Sequence, residues 1–302
     1  MSPTFRVSAV LLAAGLLGAC AAPAPRKTAD AALPVAPAPT AKPAGPAPND
    51  NLNAVAWAQT AIEHDLIYRE VYRNATEKLA HAIKDKNWDA LPKDERSGSA
   101  QRLAPAVILD IDETVLDNLP YQARLVRDDK NFDEFSWAQW CREKAAKPLP
   151  GALEFTRYAA EHGVKVFYLS NRAQDLNDAT LDNLRSAGFP LASDETVFLG
   201  LGTINKDCEQ VGTEKGCRRR LIAQKHRVLM QFGDQLGDFV DVLANTVDGR
   251  RAMVEPYLDW IGDRWFVLPN PTYGSWEPAL FNNDWAQPEG RRRAAKIEKL
   301  QK

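Results

Sequence analysis

The sequence predicts an α/β fold in which a parallel β-sheet lies between layers of helices. Short apolar runs rich in β-branched residues recur along the chain, and the segments between them are long enough for crossover helices. The runs are 106–109, 164–169, 196–199, 228–232 and 265–268. Several runs end directly in hydroxyl, amide or carboxylate side chains, at the sheet edge where open α/β folds bind ligands. A chain of 302 residues that is 45% hydrophobic and 26% charged can bury such a core.

A short apolar stretch near the start of the sequence predicts an export signal. Arg6 precedes the stretch at 7–17, which is too short to remain in a bilayer, and small residues then lead to Cys20. This pattern resembles a bacterial lipoprotein signal. We therefore predict that residues 1–19 are a signal peptide and that acyl chains on Cys20 anchor the protein to a membrane. Neutral Ala21 favours the outer membrane, and an ordinary secretory signal that contains a cysteine is the alternative.

Alanine and proline dominate residues 20–50, which predicts an extended tether without a core of its own. Residues 51–302 would then form one folded domain in the periplasm or at the cell surface. Its first element is a long helix at 51–86, where apolar residues recur at helical spacing. His64 and His81 fall on this helix without the spacing of metal ligands, so we expect packing or surface roles for them.

The first apolar run leads into an acidic loop at 110–118. Asp110 and Asp112 lie close enough to repel each other unless a cation or a proton separates them. Because the two side chains point in different directions along an extended turn, one can act as nucleophile or metal ligand and the other as acid or base. The plain alternative is a helix start that is capped by Asp112 or Thr114.

Polar residues after later strands complete a candidate site. Asp110 and Asp234 follow strands that are expected to be neighbours, so they could share a hard divalent cation such as Mg²⁺. The Ser170 hydroxyl and the Asn171 amide could donate hydrogen bonds to phosphoryl oxygens, and Lys215 would complete the charge balance. A solvated basic face is the alternative for Lys215. It is also the expected state of the arginines at 218–220.

Four motifs occur in the order that is typical of the haloacid dehalogenase superfamily. They are D-x-D-x-T at 110–114, S-N-R at 170–172, Lys215 and G-D-x-x-x-D at 233–238. The sequence DIDETVLDN and the segment LPNPTYGSWE at 268–277 resemble, more narrowly, the class C bacterial acid phosphatases, which are lipoproteins and include 5′-nucleotidases. The resemblance covers residues 51–285. It implies a Rossmann-like sheet and a Mg²⁺-dependent phosphomonoester hydrolase that acts on 5′-nucleotides and other organic monoesters.

The resemblance implies a role for most matching residues. Asp110 would attack phosphorus and become an aspartyl phosphate, and Asp112 would protonate the leaving oxygen and then activate water. Asp238 would hold the waters of the ion or Lys215, whereas no direct chemical role follows for Glu113. The implied phosphate-binding set is Thr114, Ser170, Asn171 and Lys215, and the implied Mg²⁺ ligands are Asp110, Asp234 and the backbone carbonyl of Asp112.

The chain has four cysteines. Cys208 and Cys217 flank the segment that carries Lys215, and in an oxidising compartment they could form a disulfide that fixes this lysine. Cys141 would then be free and Cys20 would carry lipid. Pairing of Cys141 with Cys208 or with Cys217 stays open, and no cysteine spacing resembles a zinc site.

A segment of roughly fifty residues separates the first two apolar runs, which predicts a small helical insert rather than a large cap domain. In the family, aromatic residues from this insert and from the 268–277 segment hold the leaving group. By position, the resemblance nominates Phe132, Trp137 and Tyr273, with plain packing as the alternative. A shallow aromatic clamp predicts broad substrate specificity because apolar contacts discriminate weakly.

The net charge of −2 gives no electrostatic reason to expect nucleic-acid binding. The oligomeric state stays open, and a homodimer is possible. Two alternatives to a hydrolase are a phosphotransferase that uses acceptor alcohols and a non-catalytic, cation-binding envelope lipoprotein. The presence of Asp110, Asp112, Lys215 and Asp234 together disfavours the second, because a binding module needs no nucleophile beside an acid.

Overall fold

The computed structural model describes residues 49–301. The predicted signal peptide at 1–19, Cys20 and almost all of the predicted tether at 20–50 lie outside the described residues. Within the described range, none of the helices combines the length and the apolar character that a membrane span requires.

The described residues alternate between helices and strands. The helices are α1 (Leu52–Thr60), α2 (Ile62–Lys84), α3 (Leu119–Asp128), α4 (Glu134–Glu143), α5 (Ala152–Glu161), α6 (Asn177–Ser186), α7 (Gly216–Ala223), α8 (Val247–Val254) and α9 (Glu289–Glu298). The strands are β1 (Ala104–Leu109), β2 (Leu116–Asp117), β3 (Lys147–Pro148), β4 (Lys165–Leu169), β5 (Phe198–Leu199), β6 (His226–Gly233) and β7 (Trp265–Val267). Short 3₁₀ turns lie in several of the connections.

Five of the strands form one parallel sheet, in the order β5-β4-β1-β6-β7. The central strand is β1, whose last residue Leu109 lies opposite Tyr168 of β4 and Phe232 of β6. The carboxyl ends of these three strands therefore meet at one edge of the sheet. This arrangement confirms the predicted α/β fold with a parallel sheet between helices.

Alternate residues of β1 are buried on opposite faces of the sheet. Val107 and Leu109 belong to a hydrophobic cluster that includes Phe155 of α5, whereas Ile108 belongs to a second cluster with Ile222 of α7. A strand that is covered on both faces must be apolar at every position, which is why 106–109 reads as a continuous apolar run.

The insert between β1 and β4 is small and mostly helical, as predicted. It holds α3, α4 and α5, together with the antiparallel pair β2–β3. Asp133 caps α4 by accepting a hydrogen bond from the Ser136 backbone N–H, at 2.9 Å.

The single helix predicted at 51–86 is wrong in one respect, because the chain breaks it at Ala61. This residue has extended backbone angles, φ −80° and ψ 124°, and its N–H donates to the Trp57 carbonyl at the end of α1. No glycine or proline marks the break in the sequence, so helical spacing alone could not reveal it.

Candidate active site

Three of the predicted site residues meet at the edge of the sheet because of the strand order. Asp110 follows β1, Ser170 follows β4 and Asp234 follows β6, and β1 lies between the other two strands. Asp110 and Ser170 are buried, with 7% and 0% of their surface exposed. The structure thus brings together residues that are far apart in the sequence.

Lys215 is buried at the centre of this site. Its Nζ contacts Asp110 Oδ1 and donates hydrogen bonds to Asp238 Oδ1 at 2.7 Å and to the Leu169 carbonyl at 2.8 Å. Only 4% of the residue is exposed, so the solvated-face alternative is wrong for this lysine. All three partners lie at the carboxyl edge of the sheet.

A disulfide bond lies next to this lysine. Cys208 and Cys217 are joined, with their Cα atoms 4.9 Å apart, and Cys217 is the second residue of α7. The backbone N–H of Gly216 donates to Asp241 Oδ1 at 2.7 Å and adds a second fixed point. Cys141 is buried with a free thiol.

Three carboxylates surround the position that a cation would take. Oxygen atoms of Asp110, Asp234 and Asp238 all lie within 4.8 Å of one another. Burial raises the pKa of Asp110 well above its usual range, and Lys215 opposes this rise. Burial and the nearby charge of Asp238 raise the pKa of Asp234 to about 7. Three acids and one ammonium leave excess negative charge among oxygen donors, so the residues fit a hard divalent cation.

The three acids do not have equal room for a metal ion. Asp238 uses Oδ1 for Lys215 and Oδ2 for the backbone N–H of Gln235, at 2.8 Å. Asp234 instead receives two side-chain hydrogen bonds at the same oxygen, Oδ2, from Gln235 at 2.7 Å and Asn270 at 2.8 Å. Asp238 is therefore better placed to hold Lys215 than to bind the ion directly.

Asp112 is paired with an arginine that sequence reasoning gave no role. Arg172 donates to Asp112 Oδ1 from Nη2 at 2.7 Å and from Nε at 3.0 Å, and Asn118 Nδ2 donates to the same oxygen at 2.8 Å. The guanidinium side chain is 1% exposed, whereas the Asp112 side chain is 17% exposed. The position of Arg172 as the third residue of S-N-R was the only local signal for this role.

The predicted phosphate ligands occupy different environments. Thr114 Oγ1 donates to Asp110 Oδ2 at 3.4 Å, and Ser170 Oγ lies 3.3 Å from Asp112 Oδ2. Asn171 is exposed, and its Oδ1 accepts a hydrogen bond from Arg218 Nη2 at 2.6 Å. Thr114 and Ser170 therefore reach the predicted catalytic acids.

The expectation that the arginines at 218–220 form a solvated face is wrong for two of them. Arg218 and Arg219 have 0% of their surface exposed. Arg218 donates to the Ser170 carbonyl at 2.7 Å, and Arg219 forms an ion pair with the buried Glu95. These bonds connect α7, and with it Lys215, to the rest of the fold.

The residues of the predicted aromatic clamp lie on two separate segments: Phe132 just before α4 and Trp137 within α4, and Tyr273 after β7. Phe132 and Trp137 form a cluster with Tyr121. The ring centroids of Phe132 and Trp137 are 6.3 Å apart, and Phe132 is 55% exposed. The Trp137 ring lies 5.4 Å from the guanidinium carbon of Arg172. Tyr273 belongs to the 268–277 segment, and its hydroxyl contacts the Glu113 carboxylate. The structure thus places Trp137 beside the partner of Asp112.

Comparison with solved structures places this geometry in a known family. The chain is similar to the class C acid phosphatase from Bacillus anthracis, with 30% identity and a TM-score of 0.69 over 83% of this chain and 97% of that one. The same enzyme with tungstate bound matches with 30% identity and a TM-score of 0.71, over the same shares. The resemblance that the motifs indicated is therefore confirmed.

Plant proteins are more distant relatives. Acid phosphatase 1 of Solanum lycopersicum is 27% identical over 166 residues, 55% of this chain and 57% of that protein. Vegetative storage protein 2 of Arabidopsis thaliana is 28% identical over 167 residues, 55% of each chain. The match thus spans little more than half the length of these relatives.

Residues 49–276, which contain the whole acidic edge of the sheet, match the HAD superfamily, subfamily IIIB (Acid phosphatase), and the chain belongs to that family.

Proposed function

We propose that the protein is a Mg²⁺-dependent phosphomonoester hydrolase that works through an aspartyl phosphate on Asp110. One observation carries the proposal: Asp110 is a buried carboxylate at the end of the central strand, in contact with Lys215 and beside two further acids. The family supports the activity, and binding of tungstate by a relative agrees with a site for tetrahedral oxyanions.

The chemistry follows from the placement of the donors and acids. In the first step, an Asp110 oxygen forms a bond to phosphorus while the bond to the leaving oxygen breaks, and Asp112 gives that oxygen a proton. In the second step, Asp112 takes a proton from water as the water oxygen attacks phosphorus and releases Asp110. Thr114, Ser170 and Lys215 can donate to the three phosphoryl oxygens over which the charge of each transition state is spread.

Asp110 and Asp234, with the backbone carbonyl of Asp112, would hold Mg²⁺ in this proposal. When bound, the ion would offset the charge repulsion between the carboxylate nucleophile and a phosphate dianion. Asp238 supports the site by its hydrogen bond from Lys215. Excess negative charge among the three neighbouring carboxylates is the observation that favours a divalent cation here.

The substrate class and the location are finer parts of the proposal. We propose 5′-nucleotides among the substrates because half-buried Trp137 lies beside the Asp112–Arg172 pair and next to exposed Phe132, so that a leaving group could stack there. We also propose attachment to the outer membrane through lipid on Cys20, supported by the signal-like leader. Organic monoesters in the envelope would then be the accessible substrates.

The direct test is hydrolysis of p-nitrophenyl phosphate by the purified protein and its Asp110→Asn variant. We expect the variant to be inactive with an unchanged circular-dichroism spectrum, because an amide cannot form the covalent intermediate. Asp263→Asn, which removes a partly exposed acid paired with Lys78, is the matched control and should keep parental activity. Substantial turnover by Asp110→Asn would exclude the covalent mechanism.

Two further measurements address the cation and the acceptor. EDTA should silence the parent protein and added Mg²⁺ should restore it, and full activity in the chelator would contradict the metal assignment. Product analysis in excess glycerol separates hydrolysis from transfer, since a phosphotransferase would yield glycerol phosphate. A protein that binds Mg²⁺ but releases no phosphate from any nucleotide or sugar phosphate would be a non-catalytic relative.

A further inference from the structure

Glu113 lies at the junction of two loops that border the site. The first is the acidic loop, residues 110–118, and the second is residues 268–277, here named the aromatic loop. Glu113 is 2% exposed, and its backbone is left-handed, with φ 54°. Its Oε1 accepts a hydrogen bond from the Asn118 backbone N–H at 2.9 Å, and its Oε2 contacts the Tyr273 hydroxyl. One side chain thus connects both loops.

A second contact joins the same two loops through α2. The Tyr68 hydroxyl donates to the Glu113 carbonyl at 2.5 Å and lies 3.5 Å from the Pro269 carbonyl. The next residue, Asn270, joins the aromatic loop to the predicted metal ligand Asp234, because its Nδ2 donates to Asp234 Oδ2 at 2.8 Å. The Tyr273 ring is therefore carried by a loop whose first residues are held to Tyr68 of α2 and to Asp234.

Two unfavourable features coincide at Glu113. A left-handed backbone is strained for a residue with a side chain, and a buried carboxyl group needs partners for its oxygens. No ion pair within residues 49–301 includes Glu113, so hydrogen bonds rather than a cation hold it. Strain and burial at a residue without an assigned chemical step indicate that its placement serves the site.

We propose that Glu113 is a positioning residue, which through the Tyr273 hydroxyl fixes the Tyr273 ring at the site and so sets the preference for aromatic leaving groups. This inference rests on the proposed phosphomonoesterase function. Tyr273 would touch the substrate, whereas Glu113 acts only through Tyr273. A rigid ring loses less freedom when it stacks on a leaving group, so fixing it favours aromatic over aliphatic esters.

The test compares an aromatic and an aliphatic ester. The measured quantity is kcat/KM for p-nitrophenyl phosphate divided by kcat/KM for glycerol 2-phosphate. Tyr273→Phe keeps the ring and removes the hydroxyl, whereas Glu113→Ala removes the partner of that hydroxyl. Each should lower the ratio roughly two- to tenfold, the equivalent of one net hydrogen bond. Glu113→Gln, which keeps an acceptor for Asn118 and a polar partner for Tyr273, should lower the ratio less than Glu113→Ala.

The double variant decides whether the two residues act together. If Glu113 acts through Tyr273, Glu113→Ala combined with Tyr273→Phe should lower the ratio no further than Glu113→Ala alone. Tyr168→Phe removes a buried hydroxyl that donates to Pro190 away from the site, at 3.1 Å, and should leave the ratio unchanged. If Glu113→Ala does not fold, Tyr273→Phe and Glu113→Gln still give the comparison.

Two outcomes would overturn the inference. One is a parental substrate ratio in Tyr273→Phe, and the other is a double variant whose loss is the product of the two single losses. Both presuppose a parent protein that hydrolyses the esters. Absence of hydrolysis by the parent would instead defeat the proposed function itself, and the positioning role with it.

Discussion

Replacement of Arg172 by methionine tests the buried ion pair beneath the predicted general acid. The guanidinium gives Asp112 two hydrogen bonds at one oxygen, of 2.7 and 3.0 Å, and a third contact of 3.3 Å at the other. Methionine has a similar length and no charge, so it would fill much of the space and leave the carboxylate without its cation. The expected result is a destabilised fold.

The burial of the pair sets the size of this effect. Removal of one partner of a buried ion pair costs about 3–5 kcal/mol because the other charge is left buried and unpaired. Since the Asp112 side chain is 17% exposed and keeps its bond from Asn118, we expect the lower end, about 3 kcal/mol. For a domain of this size, this corresponds to a fall in Tm of roughly 6–12 °C.

The assay is thermal unfolding, followed by circular dichroism, of four proteins: the parent, Arg172→Met, Asp112→Asn and the double variant. The double variant should be more stable than Arg172→Met alone, because it removes the unpaired charge that the single variant creates. A loss below about 1 kcal/mol in Arg172→Met would refute this reasoning, since that is the range of an exposed pair. So would a double variant less stable than Arg172→Met.

Three further predictions concern other groups. The pKa of Asp234 is raised from 3.8 to about 7. In metal-free protein, its contribution to stability is therefore fully present below the unfolded pKa and is lost as the pH rises through about 7. The Tm of Asp234→Asn should then rise relative to that of the parent between about pH 5 and about pH 8, and a constant difference in Tm would contradict this. Burial raises the pKa of Cys141 to about 12, so its thiol should resist Ellman's reagent in the native protein and react with it in urea. A fast reaction of the native protein with the reagent would be inconsistent with this burial. Replacement of both Cys208 and Cys217 by serine removes a disulfide between residues nine positions apart. It should lower the free energy of unfolding in urea by about 2–3 kcal/mol, and an unchanged free energy would count against the bond.

The central strand and the acidic edge were predictable because their signal is local. A strand buried on both faces must be apolar throughout, and the residues that follow it directly lie at the ligand-binding edge. Asp110, Ser170 and Asp234 each follow their strand within one residue, so the strand order alone brings them together.

Other features depend on partners that are distant in the sequence. The Glu113–Tyr273 contact joins residues 160 positions apart, and Arg219 pairs with Glu95 across 124 positions. Charge alone predicts that an arginine is solvated, and only the fold shows which buried carboxylate makes its burial favourable. The break at Ala61 also lacks a local signal, since alanine is a good helix former.

The contact between Lys215 and Asp110 spans 105 positions of the chain, and these residues meet only when β1 has paired with its neighbours. Catalytic competence is therefore not a local property that a half-folded intermediate could retain. Assembly of the site brings like charges together, which opposes collapse, so the cation that suits the site would also favour completion of the sheet. If the proposed activity holds, turnover would report on the integrity of the whole tertiary structure.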